Sequence, residues 1–301
     1  MLRQIQGLHH VTTIGSDPRA IDRFWTVDLG LRRVKKTVNF DAPDVYHLYY
    51  GDELGRPGTA MTYFPFPNAA RGTRGTGEVS ETRLAIPQGA TGFWANRLGA
   101  EVSEDTFGAA VVRFEAPDGD AFAMVETDDP RAAYAAIVPA DHAIRGFHSA
   151  ALMLRDIGPT ADLLRFMGYE DLERQGDTLR MHRPGGRAHI IDLIARPGVP
   201  EATQSAGSVH HIAFSVADIA AQAEVREALT AEGFAVTRSI DRDYFRAIYF
   251  RTPGGVLFEV ATDEPGFAVD EDPAELGETL KLPSQHAHLR ATLEATLPAL
   301  N

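Results

Sequence analysis

The chain has 301 residues, no cysteine and a formal net charge of -13 at neutral pH. Without cysteine there is no disulfide framework and no thiolate metal site, so a bound metal must rely on histidine and carboxylate, which suit iron, manganese, zinc or nickel. The negative balance argues against a nucleic-acid binder, no run approaches the ~20 apolar residues of a membrane span, and a reducing cytoplasm is the expected compartment.

The first strand opens at Leu8-His9-His10-Val11, with Asp17 seven residues after His10. A helix-like stretch over residues 18–25 then runs up to Leu29-Gly30. The basic run Arg32, Arg33, Lys35 and Lys36 reads as a solvated strand or loop edge, and the glycine-bearing residues 65–77 as a surface loop. A second unit closes with Pro117-Asp118-Gly119 leading into residues 121–126. Residues 128–145, with Pro130 and Pro139, read as the connection between halves. Phe147-His148-Ser149-Ala150 then repeats the opening, reaches Asp156, and is followed by a helix and the turn Pro184-Gly185-Gly186. Val209-His210-His211-Ile212 repeats it again, with Asp218 seven residues after His211, a helix over 220–231 and the turn Pro253-Gly254-Gly255.

Strand, helix and hairpin signals thus recur four times, near residues 5–67, 76–127, 145–197 and 207–263, each in the order β-α-β-β-β. The expected fold is α+β: four βαβββ modules paired into two domains with open, barrel-like curved mixed sheets. The expected boundaries are 1–135 and 136–265, followed by a tail over 266–301. In that tail, Asp270, Glu271, Asp272 and Pro273 read as an exposed acidic loop, and Ser284 as the cap of a final helix through Leu293.

Alternate residues of a strand share a face. His211 therefore goes with Ala213 and Ser215, while Ile212, Phe214 and Val216 face the core. In the closing strand, Val256, Phe258 and Val260 form the apolar face and leave Glu259 opposite. The same parity groups His10 with Thr12 and Ile14. His10, His211 and Glu259 are thus the candidate metal ligands, the two-imidazole, one-carboxylate set typical of non-haem Fe(II) oxygenases. An unpaired carboxylate on such an apolar strand is costly to bury, which favours a cation there. His148 stands eight residues before Asp156, in register with His210, leaving Ser149 at the ligand position. A register one residue off would let His148 replace His10, and this alternative stays open. Counting six residues from each turn proline gives Glu259, Ala123 and Ile190, so the middle units read as metal-free, with Glu126 and Asp192 at strand ends near solvent.

Gly7-Leu8-His9-His10-Val11-Thr12, Gly146-Phe147-His148-Ser149 and Val209-His210-His211-Ile212-Ala213 resemble the vicinal oxygen chelate superfamily, which includes glyoxalase I and extradiol dioxygenases. They look most like its ring-cleaving dioxygenases of hydroquinones, and the resemblance extends through Leu276-Gly277-Glu278 to Leu282-Pro283. It implies an Fe(II) enzyme, with Mn(II), Zn(II) or Ni(II) as alternatives, that opens a para-dihydroxylated ring. The implied partners are a small aromatic substrate and O2, and self-association into a homo-oligomer is compatible with it. The resemblance draws the ligands from the first and fourth units, whereas catechol-cleaving relatives take one from the third. It also implies that Arg242 and Tyr249 face the substrate and that Thr12, His9 and His210 occupy pocket positions. Tyr249 or His210 would act as acid or base and Arg242 would stabilise negative charge. Parity turns His9 and His210 away from the metal unless the strand start is bulged. A catechol extradiol dioxygenase, a glyoxalase-like non-redox metalloenzyme and a metal-dependent binding or resistance protein are the alternatives. The first unit offers Tyr63 where a four-ligand isomerase site would need a second glutamate.

Overall fold

The structure, a computed structural model, describes residues 1–186 and 188–300. The first unit runs β1 (Leu8–Gly15), α1 (Pro18–Arg23), a π turn (Phe24–Asp28), β2 (Arg32–Val38), β3 (Tyr46–Gly51) and β4 (Ala60–Pro65). The second comprises β5 (Glu78–Ile86), α2 (Thr91–Leu98), β6 (Val102–Glu104), β7 (Ala110–Glu115) and β8 (Ala121–Glu126). The third comprises β9 (Gly146–Leu154), α3 (Gly158–Phe166), β10 (Glu170–Gln175), β11 (Thr178–His182) and β12 (Ile190–Ala195). The fourth comprises β13 (Ser208–Val216), α4 (Ile219–Ala231), β14 (Ile240–Asp241), β15 (Phe245–Arg251) and β16 (Leu257–Pro265). The recurring aspartates start helices: Asp17 accepts hydrogen bonds from the Arg19 and Ala20 amides, and Asp218 from that of Ala221. Their spacing from the His-His pairs therefore records strand length and helix capping, not metal binding.

Two eight-stranded sheets result, in the orders β14-β15-β16-β13-β1-β4-β3-β2 and β10-β11-β12-β9-β5-β8-β7-β6. The first unit shares a sheet with the fourth, and the second with the third. The sequential halves 1–135 and 136–265 therefore each contribute strands to both sheets, contrary to a simple pairing of neighbours. The joining strands, β1 with β13 and β5 with β9, satisfy four edges that separate four-stranded sheets would leave open.

The apolar faces foreseen from parity pack inward. Val11, Ile212, Phe214 and Val260 are fully buried in one core that spans all four units. Trp25 stacks on Tyr50 and meets Phe122 edge-on at 5.2 Å, tying the first unit to the second. Burying a ring of this kind contributes on the order of 2–3 kcal/mol.

Several surface expectations are corrected by tertiary pairing. Lys35 is fully buried, its Nζ 2.6 Å from Asp270, paired also with Glu271 and 4.5 Å above the Tyr244 ring. Arg33 pairs with Asp22 at 2.6 Å. The acidic tail loop thus covers the basic strand, because opposite charges leave water more cheaply together than apart. Ser284 does not cap by its side chain; Ser284–Leu289 is a 3-10 turn entering α5 (Arg290–Thr296). The surface loop after β4 is pinned by bridges from Arg71 to Ala206 and from Thr73 to Thr203. Asp192, expected near solvent, is fully buried between Arg83 and Arg180. Glu126 ends β8 and accepts from the Thr91 amide and hydroxyl at the start of α2. Among the described residues, no helix is long and apolar enough to cross a membrane.

Candidate metal centre

His10 on β1, His211 on β13 and Glu259 on β16 converge from three neighbouring strands, all buried. Their facing atoms form a small triangle: His10 Nε2 to His211 Nε2 is 3.3 Å, His211 Nε2 to Glu259 Oε2 is 2.9 Å, and His10 Nε2 to Glu259 Oε2 is 3.5 Å. The convergence follows from pairing: Ala213 lies across from His10 on one side and from Glu259 on the other.

Three features of this triangle fit a divalent cation. Glu259 is wholly buried, yet neither of its carboxylate oxygens receives a well-aligned hydrogen bond, an expensive state without a positive partner. The side lengths match ligand atoms each about 2.1 Å from a shared ion. The donor set itself, two imidazoles and one carboxylate, suits a first-row transition metal. Burial alone would raise the Glu259 carboxyl, but the two imidazoles outweigh it and hold the group well below the usual carboxylate range. Burial lowers His211, while Glu259 works in the opposite direction.

The strand starts carry a feature that parity alone does not contain. Between Leu8↔Phe214 and His10↔Ala213 the pairing skips His9, and between Thr12↔His211 and Thr13↔Val209 it skips His210. Each His-His pair therefore sits on a β-bulge, which brings both rings of the pair to the same side. His9 Nδ1 lies 2.9 Å from His10 Nδ1, and His210 Nδ1 lies 2.7 Å from His211 Nδ1. Burial depresses both outer histidines to about 3, the positive potential of the adjoining ring adding to it.

Above the triangle opens a cavity of about 390 Å3 walled by Phe40, Phe64, Phe66, Phe245, Tyr249 and His210. Arg242 Nε donates to Tyr249 Oη at 3.4 Å, and its guanidinium lies 5.2 Å from the Phe40 ring centre and 3.6 Å from Asp41. Tyr249 is the cross-strand partner of Glu259, and burial together with that carboxylate raises its hydroxyl well above the ordinary tyrosine value. Thr12 is placed differently. It is fully buried, and its hydroxyl accepts from Thr62 at the end of a chain running Tyr49, His47, Thr62, Thr12, so that His47 is the side chain facing the cavity there.

A larger cavity of about 510 Å3 abuts this one and shares Gln204 and His210 with it. Turn residues and charged side chains such as Arg155, Glu201 and Arg251 line it, and none of the three converging groups does. His148 lies in the other sheet, where it is the bulged residue between Arg83↔Ser149 and Leu84↔Phe147, and its Nδ1 is 3.0 Å from Ser149 Oγ. It is not brought to the triangle. Tyr63 is likewise not the counterpart of Glu259: Thr62 faces Thr12, while the Tyr63 hydroxyl donates to Asp120 in the core.

His47, Asn39, Phe64, Phe66 and Gln204 line the cavity without having been singled out in the sequence. Alternation could have found His47: Tyr46, Leu48 and Tyr50 face the core, which leaves His47 and Tyr49 on the cavity side.

The fold and site define a class, and comparison agrees with it. Residues 170–260 match the family described as Glyoxalase/Bleomycin resistance protein/Dioxygenase superfamily. The chain belongs to this superfamily, since full-length relatives match it from end to end. One, from Bacillus subtilis and named "Putative ring-cleaving dioxygenase MhqO", is 40% identical over 99% of this chain and 97% of its own. Another, from Sphingobium indicum and named chlorohydroquinone/hydroquinone 1,2-dioxygenase, is 36% identical over 98% and 96%. A crystal structure from Bacillus subtilis, 40% identical, superposes with a TM-score of 0.95 over 99% of this chain and 98% of that one.

Proposed function

We propose that this chain is an Fe(II)-dependent ring-cleaving dioxygenase that opens hydroquinone-type aromatic rings with O2. The observation carrying the proposal is the meeting of His10, His211 and the wholly buried Glu259 at the floor of an aromatic-walled cavity. The hydroquinone dioxygenase among its relatives supports the substrate class.

His10, His211 and Glu259 would hold the metal on one face. Held there, ferrous iron would supply binding sites for a substrate hydroxyl and O2 and a route for electrons between them. The remaining roles fall to the cavity wall. Phe40, Phe64, Phe66 and Phe245 accept a flat ring and displace water from it. Arg242 holds a fixed positive charge beside Tyr249 Oη, where it stabilises negative charge on a phenolate oxygen. Tyr249 stays protonated and can donate a hydrogen bond to a substrate oxygen. His210, partly exposed on the wall, can offer its Nε2 proton to a substrate oxygen. Overall, a ring carbon–carbon bond beside a hydroxyl-bearing carbon breaks, and both atoms of one O2 remain in the product.

The test is oxygen uptake with hydroquinone, catechol and a methylglyoxal–thiol adduct, each with Fe(II) and with Zn(II). Hydroquinone should consume O2 one for one with Fe(II) and not with Zn(II). Turnover of the thiol adduct with Zn(II), or no oxygen uptake with any ring and Fe(II), would overturn the reading. Preferential consumption of catechol would replace hydroquinone as the substrate class.

A further inference from the structure

We propose that His9 and His210 are positioning residues that set the ring tautomers of His10 and His211, and that His9 does only this while His210 keeps a nitrogen for the cavity. The inference rests on the reading of His10 and His211 as metal ligands. For Nε2 of either ring to offer a lone pair to a cation, the ring proton must sit on Nδ1. In His10 that Nδ1 lies 2.9 Å from His9 Nδ1, and a hydrogen bond between two such nitrogens holds a single proton. His10 therefore donates and His9 accepts, which places the proton of His9 on its own Nε2. Both Nδ1 atoms and the Nε2 of His10 thereby have one assigned role each. His9 is absent from the cavity lining, which includes His10, His210 and His211. His9, 3% exposed and outside the cavity lining, has no nitrogen within reach of a substrate.

The fourth unit repeats the contact with a different outcome. His210 Nδ1 accepts from His211 Nδ1 at 2.7 Å by the same reasoning, but His210 lines the cavity and packs edge-on against Phe64. Its Nε2 is thus left for a substrate oxygen or water. The other sheet supplies an independent view of the device. Its bulge keeps His148, whose Nδ1 still reaches the side chain of the next residue although that residue is Ser149 and not a histidine. The bulged histidine is thus a feature of strand architecture that serves the inner residue.

The tautomers can be read directly by long-range proton–nitrogen NMR of the parent protein loaded with diamagnetic Zn(II). His10 and His211 should carry their protons on Nδ1, and His9 and His210 on Nε2. Co(II) titration of variants provides the second measurement. His9→Ala should bind Co(II) roughly 10- to 100-fold more weakly, the usual effect of losing such support, while the kcat–pH profile at saturating Fe(II) keeps the parent's shape. His9→Asn, whose Oδ1 replaces the accepting nitrogen, should restore most of the affinity. His210→Ala should weaken Co(II) binding and also lower kcat. His10 protonated on Nε2, or a folded His9→Ala protein binding Co(II) as tightly as the parent, would overturn the inference alone. A parent that binds neither Co(II) nor Fe(II) would overturn the ligand reading and this inference with it.

Discussion

Glu259 lies across from Ala213 in one sheet and Asp192 across from Ala151 in the other, and these two alanines pair in turn with His10 and Glu81. The two carboxylates are thus counterparts in the two sheets. Glu259 faces two imidazoles, whereas Asp192 is held by Arg83 at 2.5 Å and by Arg180 at 2.8 Å. One carboxylate faces two imidazoles, and the other is closed in by arginine.

Replacing Glu259 by Ala should therefore remove metal binding and oxygen uptake together, because two imidazoles alone hold a divalent ion weakly. Metal content after gel filtration and an oxygen electrode check this. An iron-loaded, active variant would sink the ligand assignment.

Asp192→Asn should behave in the opposite way. It breaks a buried ion-pair cluster and should cost about 3–5 kcal/mol of stability, yet leave Co(II) affinity at the first sheet unchanged. Urea denaturation and Co(II) titration separate the two effects, and altered affinity without lost stability would contradict the counterpart role.

Tyr249→Phe removes the hydroxyl beside Arg242 while keeping the ring 5.7 Å from His211. We expect kcat to fall by roughly a hundredfold or more, as for loss of a positioned proton donor, with metal affinity intact. Unchanged kcat would mean that the hydroxyl serves packing alone.

Asp120 carries a pH signature of its own. Burial pushes it from 3.8 up to about 7, against the hydrogen bond from Tyr63. Between these values the native state holds a proton that the unfolded chain has released, so stability should fall as pH rises through this window and level off above it. At about 1.4 kcal/mol per unit the whole change is at most a few kcal/mol. Asp120→Asn should flatten the slope and raise stability relative to the parent at pH 8. Urea midpoints between pH 4 and 8 provide the measurement, and a slope that survives the substitution would assign it elsewhere.

Lys35→Met should leave Glu271, whose side chain is 4% exposed, without its ammonium. The expected cost is about 3–5 kcal/mol, accompanied by faster proteolysis of the tail. Adding Glu271→Gln should recover part of the loss, because the stranded charge is then removed. A double variant no more stable than Lys35→Met would show that the pair is not coupled.

The sequence alone determined the four βαβββ units and the inner faces of their strands, because helix and strand periodicity are local properties of the chain. Period-two parity was enough to bring out His10, His211 and Glu259, which the fold then places within 3.5 Å of one another. Counting from the turn failed for the third unit. Asp192 stands eight residues after Pro184, whereas Glu259 stands six after Pro253, and no local signal announces the longer turn.

The tertiary structure decided which units share a sheet, and with it the bulges at His9 and His210. A bulge exists only relative to a partner strand, here one some two hundred residues away in sequence. The same holds for Lys35 and Asp192, charged residues that read as surface because their burial depends on partners brought in by distant segments. Periodicity tells which way a side chain faces, but pairing across the sheet determines what it meets there.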